Sequence, residues 1–184
     1  YFACSECAVF GCYLCGVIDN NVHRGRTCAE CARGMRNLES GALLEKLIVG
    51  AEDFARNYFE AGHGQVSTIR NPGLNYGCPA MIRFAAAVCL KGGVDVLKQC
   101  FYAWHGTSLE AIPSICHYGF DPGRRRHQAY GRGEYFGQKA SVSLGYATGS
   151  KLLIICALVG GIPETTIHGS FCYIVDNPVR EDFI

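Results

Sequence analysis

Two groups of residues in this 184-residue chain have types and spacings that can do chemistry. The first lies at the front, where Cys4, Cys7, Cys12, Cys15, Cys28 and Cys31 form three C-x-x-C pairs. Such a pair lets two thiolates converge on one tetrahedral ion, and thiolate-rich sets favour zinc. Six thiolates exceed one tetrahedral site. Either two pairs hold one zinc and the third is spare, or two zincs bind with His23 as a seventh ligand. The eighth would then be His63 or a residue upstream of Tyr1. A dithiol redox switch would need one such pair only, and the spacing does not match the eight-ligand cross-brace of ubiquitin-ligase-type zinc folds. A module this small has little core, so the metal would supply its folding energy. The second group runs from Ala103 to Tyr146. It contains Trp104-His105-Gly106-Thr107, then Ile115-Cys116-His117-Tyr118-Gly119-Phe120-Asp121, then Tyr130-Gly131-Arg132-Gly133-Glu134-Tyr135-Phe136, and finally Ser143 and Tyr146. Each string alone is commonplace; the signal lies in four of them in this order and at this spacing.

That arrangement resembles the catalytic core of the poly(ADP-ribose) polymerases, a branch of the diphtheria-toxin-like ADP-ribosyltransferases, over residues 100–176. The resemblance implies a fold of two packed small β-sheets with short helices around a nicotinamide cleft, and NAD as substrate. It implies that His105 hydrogen-bonds a ribose hydroxyl of NAD and that Gly106 offers its backbone N–H and C=O to the nicotinamide carboxamide. Thr107 would line the same site, Ser143 would donate to the carboxamide, and Tyr146 and Tyr135 would stack on the two faces of the ring. The loop 119–130 matches the family's donor loop. These residue types suit the ligand: a flat ring is gripped by two aromatic faces at modest entropic cost, and a residue without a side chain permits close approach to the carboxamide. Cleavage of the glycosidic bond develops an oxocarbenium-like ribose, so an enzyme gains by holding the leaving group and placing negative charge nearby.

In polymerising members a Glu opens the strand corresponding to 171–175, and here Cys172 stands at that position. A neutral thiol does not polarise an acceptor hydroxyl as a carboxylate does. The resemblance therefore implies transfer of single ADP-ribose units to protein, with the catalytic set His105, Tyr135 and Cys172. The alternative is a catalytically inactive module that binds NAD, ADP-ribose or a protein partner. An RNA 2′-phosphotransferase on the related fold fits the Gly-x-Gly-x-Tyr-Phe string less well. Glu134, beside Tyr135, should face the other side of its strand; Glu164 and Asp176 stay open as further carboxylates. Arg124–Arg126 reads either as a solvated charge run or as a contact for NAD phosphates or an anionic partner.

These groups need a scaffold, and composition allows one medium domain plus a small one. Hydrophobic residues make up 49% and charged residues 18%, enough for a packed core. A formal net charge of +1 gives no global pull toward nucleic acid or an anionic membrane, so nucleic acid would have to bind through the zinc module. No apolar run is long enough to span a membrane. The chain opens on Tyr1 and not Met, which predicts a piece of a longer protein. The six later cysteines are scattered singly, several in apolar settings where Cys acts as a small core hydrophobe. Reduced core thiols and metal place the chain in the cytosol or nucleus; a secreted disulfide framework is the competing possibility.

The expected organisation is a cysteine-rich zinc module over 1–36, a helical segment over 37–100 leading into or packing on the core, and an α+β transferase core over 101–184. Leu38, Leu43, Leu44, Leu47, Ile48 and Phe54 recur at helical spacing and predict a helix over 37–61. A second helix is predicted over 79–100, strands over 101–107, 151–159 and 171–175, and short helices over 108–117, with Ser108 as N-cap, and 139–146. Short strands alternating with short helices suggest an α+β arrangement.

Overall fold

The computed structural model describes residues 42–59, 64–74, 78–81, 84, 100–126, 128–159, 165–168 and 172–175. The expected zinc module, with Cys4, Cys7, Cys12, Cys15, Cys28, Cys31 and His23, lies outside the described residues, as do His63, Glu164 and Asp176.

Strand β1 spans Cys100–His105, and its register partner β3 spans Ile154–Val159. Between them come helix α2 (Ile112–Tyr118), strand β2 (Glu134–Gly137) and helix α3 (Ala140–Leu144). Strands β4 (Thr165–His168) and β5 (Cys172–Val175) follow. All neighbours are antiparallel, in the order β3-β1-β2-β5-β4. The resemblance implies two packed sheets; the described strands instead join edge to edge in one. The physical reason is visible in the register. Strand β1 pairs with β3 along its whole length, from Cys100↔Val159 to His105↔Ile154, and β2 pairs with β5 from Glu134↔Val175 to Gly137↔Cys172. Between β1 and β2 the register holds at one pair, Trp104↔Gly137. Two ribbons are thus hinged at a short seam.

The side chains of β1 alternate between two cores, as a two-sided strand must. Ala103 joins Phe84, Phe120, Phe136, Cys156, Leu158 and Val175 in one. Trp104 faces the other, with Ala55 and Ala140 and the partly buried Phe54 and Phe59. Helix α1, Ala42–Tyr58, touches both cores, placing Leu47 in the first and Ala55 in the second. The Phe54 ring lies 5.0 Å from Trp104 and 6.0 Å from Tyr102, and the Tyr102 hydroxyl donates to the Leu47 carbonyl at 3.0 Å. The predicted first helix therefore exists over Ala42–Tyr58 and packs directly on the sheet; residues 37–41 lie outside the described residues. Arg70 reaches across it to Glu45 at 3.0 Å and Glu52 at 2.7 Å. These pairs are solvent-exposed on the arginine side, where screening leaves such bridges worth little.

Three expectations change. Helix α2 begins at Ile112 with Ala111 as its cap and no side-chain cap bond, so Ser108 does not start it. Ser108 instead closes a turn through its carbonyl to the Ala111 N–H at 3.0 Å, and Pro113 sits in the first helical turn, where its missing N–H costs nothing. Cys100 opens β1 and does not close a helix; residues 79–81 and 84 are helical, and 85–99 lie outside the described residues. Strand β4 was not expected, its apolar content being too low to signal one. Cys78, Cys156 and Cys172 are buried and carry no disulfide, as core thiols do. No helix among the described residues is long and apolar enough to cross a membrane.

Candidate active site

The cleft opens where the seam ends. His105 is the last residue of β1, Gly106 and Thr107 leave the sheet, and α3 lies across the junction. Ser143 of α3 is 3% exposed, and its hydroxyl donates to the Trp104 carbonyl at 2.9 Å. Two glycines let the helix come this close. A Cβ on Gly106 would sit 1.8 Å from the Ser143 carbonyl oxygen and 3.2 Å from the Tyr146 Cβ. One on Gly137 would sit 2.5 Å from the Ser143 Oγ and 2.9 Å from the Lys139 carbonyl oxygen. Both positions thus have structural roles beside the ligand contacts that the resemblance implies. Gly106 lacks a side chain because α3 occupies that space, whatever a ligand requires. Ser143 has one hydroxyl proton, already given to Trp104, so what remains for a ligand is its acceptor lone pairs.

His105 is held edge-on against Phe120, with ring centroids 4.7 Å apart, and tilted against Phe136 at 5.7 Å. Its Nδ1 lies 3.0 Å from the Tyr135 carbonyl oxygen. A carbonyl accepts only, so Nδ1 carries the proton. Burial pushes the imidazole pKa down to about 4, with the bond to Tyr135 opposing the shift in part. The ring is therefore neutral at pH 7, and Nε2 is left as a hydrogen-bond acceptor. That is the right polarity to receive a hydroxyl.

Tyr135 is tied down by its own loop: its hydroxyl accepts from the Tyr130 N–H at 2.9 Å and donates to the Gly131 carbonyl. Tyr146 is 65% exposed at the cleft mouth. Cys172, the first residue of β5, is buried opposite Gly137, and burial pushes its thiol above the ordinary value, so it stands neutral. One cavity of about 470 Å3 is lined by His105, Gly106, Tyr135, Ser143, Tyr146 and Cys172, with Thr107 beside them. Every site residue expected from the sequence outside the cysteine module thus meets at one cavity, of a size usual for small-molecule sites at roughly 300–1,000 Å3.

The arginine run divides. Arg124 and Arg126 are exposed, and Arg124 approaches Asp121 at 3.3 Å. The Arg125 side chain is 3% exposed and binds Glu134 at 2.7 Å. Glu134 lines the same cavity as Tyr135 and is held there by Arg125. Burial pushes its carboxyl up from the ordinary carboxylate range, against the opposing pull of Arg125. Sequence reasoning did not find this pair, nor the Phe120–Phe136 cage around His105. Nothing in three consecutive arginines marks which one turns inward.

Residues 83–166 match the family model described as the poly(ADP-ribose) polymerase catalytic domain. That segment is a catalytic domain of the poly(ADP-ribose) polymerase type, a class of ADP-ribosyltransferases whose substrate is NAD. The match takes in His105, Gly106, Thr107, Tyr135, Ser143 and Tyr146 and stops before Cys172. No curated protein matches the chain.

The buried neutral His105 makes the fold acid-sensitive in a defined window. Its folded pKa of about 4 lies below the ordinary 6.5, so the folded state holds fewer protons than the unfolded chain between those values. Its contribution to stability is complete above pH 6.5 and is lost as pH falls toward 4. Thermal melting of the wild type and of His105→Gln across this range should show a steeper acid decline in the wild type. Parallel curves would mean that the ring is not desolvated.

Proposed function

We propose that the chain is an NAD-dependent mono-ADP-ribosyltransferase that modifies protein. The observation supporting this is the cavity at the seam, where a neutral His105, the Gly106 backbone, the tethered Tyr135 ring and Tyr146 surround one space while a thiol, Cys172, closes it at β5. In this reading Tyr135 and Tyr146 flank the nicotinamide ring, the carboxamide pairs with the Gly106 backbone and the Ser143 oxygen, and Nε2 of His105 accepts from a ribose hydroxyl. The glycosidic C–N bond breaks and nicotinamide leaves with the bonding pair. The acceptor atom forms the new bond to the ribose carbon.

The missing carboxylate decides what that acceptor can be. Elongating a chain requires drawing a proton from a ribose hydroxyl, and a neutral buried thiol is a poor base for it. Glu134 is already engaged by Arg125. A carboxylate acceptor on a protein carries no proton to remove, so its attack asks for no base from the enzyme. Asp and Glu side chains are accordingly the favoured acceptors. The same thiol also supports the second reading, a binding module that holds NAD without reacting. Intact-mass spectrometry after incubation of the purified chain with NAD separates them. The proposal expects mass added in single ADP-ribose units, nicotinamide released in step, and loss of both in His105→Ala. Thermal stabilisation by NAD with neither product would leave the binding module; mass in long ladders would sink the mono-transfer assignment.

For residues 1–36 we propose a zinc module that recognises a partner, the protein acceptor or a nucleic acid, placed ahead of a helical segment over 37–100 and the core over 101–184. The spacing of the three C-x-x-C pairs supports it. Metal analysis of the chain purified without added chelator should find one or two zinc ions per chain. A metal-free, folded chain with all six thiols freely titratable contradicts it.

A further inference from the structure

The segment between Asp121 and Gly133 contributes one wall of the cavity. From Asp121 to Arg132 its described residues are exposed or half-buried, and Tyr130 is 51% exposed. Its second half is stitched locally: Gln128 accepts the Gly133 N–H at 3.1 Å, and the Tyr135 hydroxyl bridges Tyr130 and Gly131. Its first half begins with an Asp121-capped turn over Pro122–Arg124, whose contacts are also local. Among the described residues, a long-range ion pair ties that half to the sheet. Arg125 Nε donates to Glu134 Oε1 at 2.7 Å, with side chains 3% and 12% exposed. Two apolar side chains of similar volume would pack at this position without the desolvation cost of two charges. What the ion pair adds is direction, since the guanidinium must meet the carboxylate in a fixed geometry.

We propose that Arg125 and Glu134 are positioning residues whose buried ion pair latches the 121–133 loop to β2 and sets the cavity wall before a ligand arrives. Arg124 and Arg126, on either side of the latch, are thereby held at the cavity rim. The effect on NAD rests on the transferase reading above: a preset wall spares the cost of ordering the loop on binding, so breaking the latch raises KM and leaves kcat near its original value.

Limited trypsin digestion of the full chain, with fragments located by mass, reads the latch without reference to NAD. In Glu134→Gln the bonds after Arg124, Arg125 and Arg126 should be cut roughly ten-fold faster or more, because local opening governs such cleavage. Cleavage after Arg70 should be unchanged, and Arg125→Lys, which keeps the charge but loses the guanidinium geometry, should be cut faster than the wild type at the flanking sites. Should Glu134→Gln not fold, Arg125→Gln leaves the flanking sites for the same comparison. In steady-state nicotinamide release, Glu134→Gln should raise the KM for NAD about ten-fold with kcat within about two-fold. Unchanged loop cleavage overturns the latch even if the wild type turns over NAD. Faster cleavage with an unchanged KM overturns the presetting of the wall. Faster cleavage in a chain that neither binds nor consumes NAD leaves the latch standing and removes the transferase reading.

Discussion

The site depends on one contact, the hydroxyl of Ser143 on the carbonyl of Trp104 at 2.9 Å. It falls where the two ribbons of the sheet share their one register pair, Trp104↔Gly137. A seam that short cannot hold two ribbons by ladder bonds alone; it needs a clamp. Helix α3 provides it, and it fits because neither Gly106 nor Gly137 has a side chain to keep it away. With α3 seated, Tyr146 emerges one turn later at the cleft mouth, Gly106 is turned out of the sheet, and His105 is left at the end of β1 with its ring caged by Phe120 and Phe136. The hinge between ribbons and the cavity are the same feature seen from two sides.

Much of this was legible in the sequence, for identifiable reasons. Strand β3 announces itself as an unbroken apolar run, and α1 by leucines at helical spacing. The site residues were legible because four short strings keep a fixed order, and the cavity brings together His105, Gly106, Thr107, Tyr135, Ser143, Tyr146 and Cys172. What stayed hidden depends on tertiary partners. A serine does not reveal whether its proton goes to a ligand or to a carbonyl 39 residues earlier in the chain. A glycine does not reveal whether the space it leaves is filled by a substrate or by a helix. The start of α2 was misplaced because Ser108 is a good cap in isolation, while the helix begins at Ile112 with Pro113, five residues on, in its first turn. Strand β4 is defined by its pairing with β5 rather than by its own side chains.

The charges at the cleft follow a consistent logic. The groups nearest the reaction are kept neutral: the imidazole of His105 by burial with its Nδ1–H satisfied, and the thiol of Cys172 by burial at the start of β5. The buried charges, Arg125 and Glu134, cancel each other and lie at the loop wall. At the seam itself, His105, Gly106, Ser143 and Tyr135 present neutral, oriented groups to the cavity.

The central claim is that the nicotinamide end of NAD is seated at the seam, and a crystal structure of the chain with nicotinamide tests it most directly. The account predicts the ring between Tyr135 and Tyr146, its carboxamide on the backbone N–H and C=O of Gly106 with the Ser143 oxygen within hydrogen-bond reach, and α3 unmoved. Nicotinamide bound away from Gly106, or a cleft that stays empty at saturating ligand while the protein is folded, would contradict it.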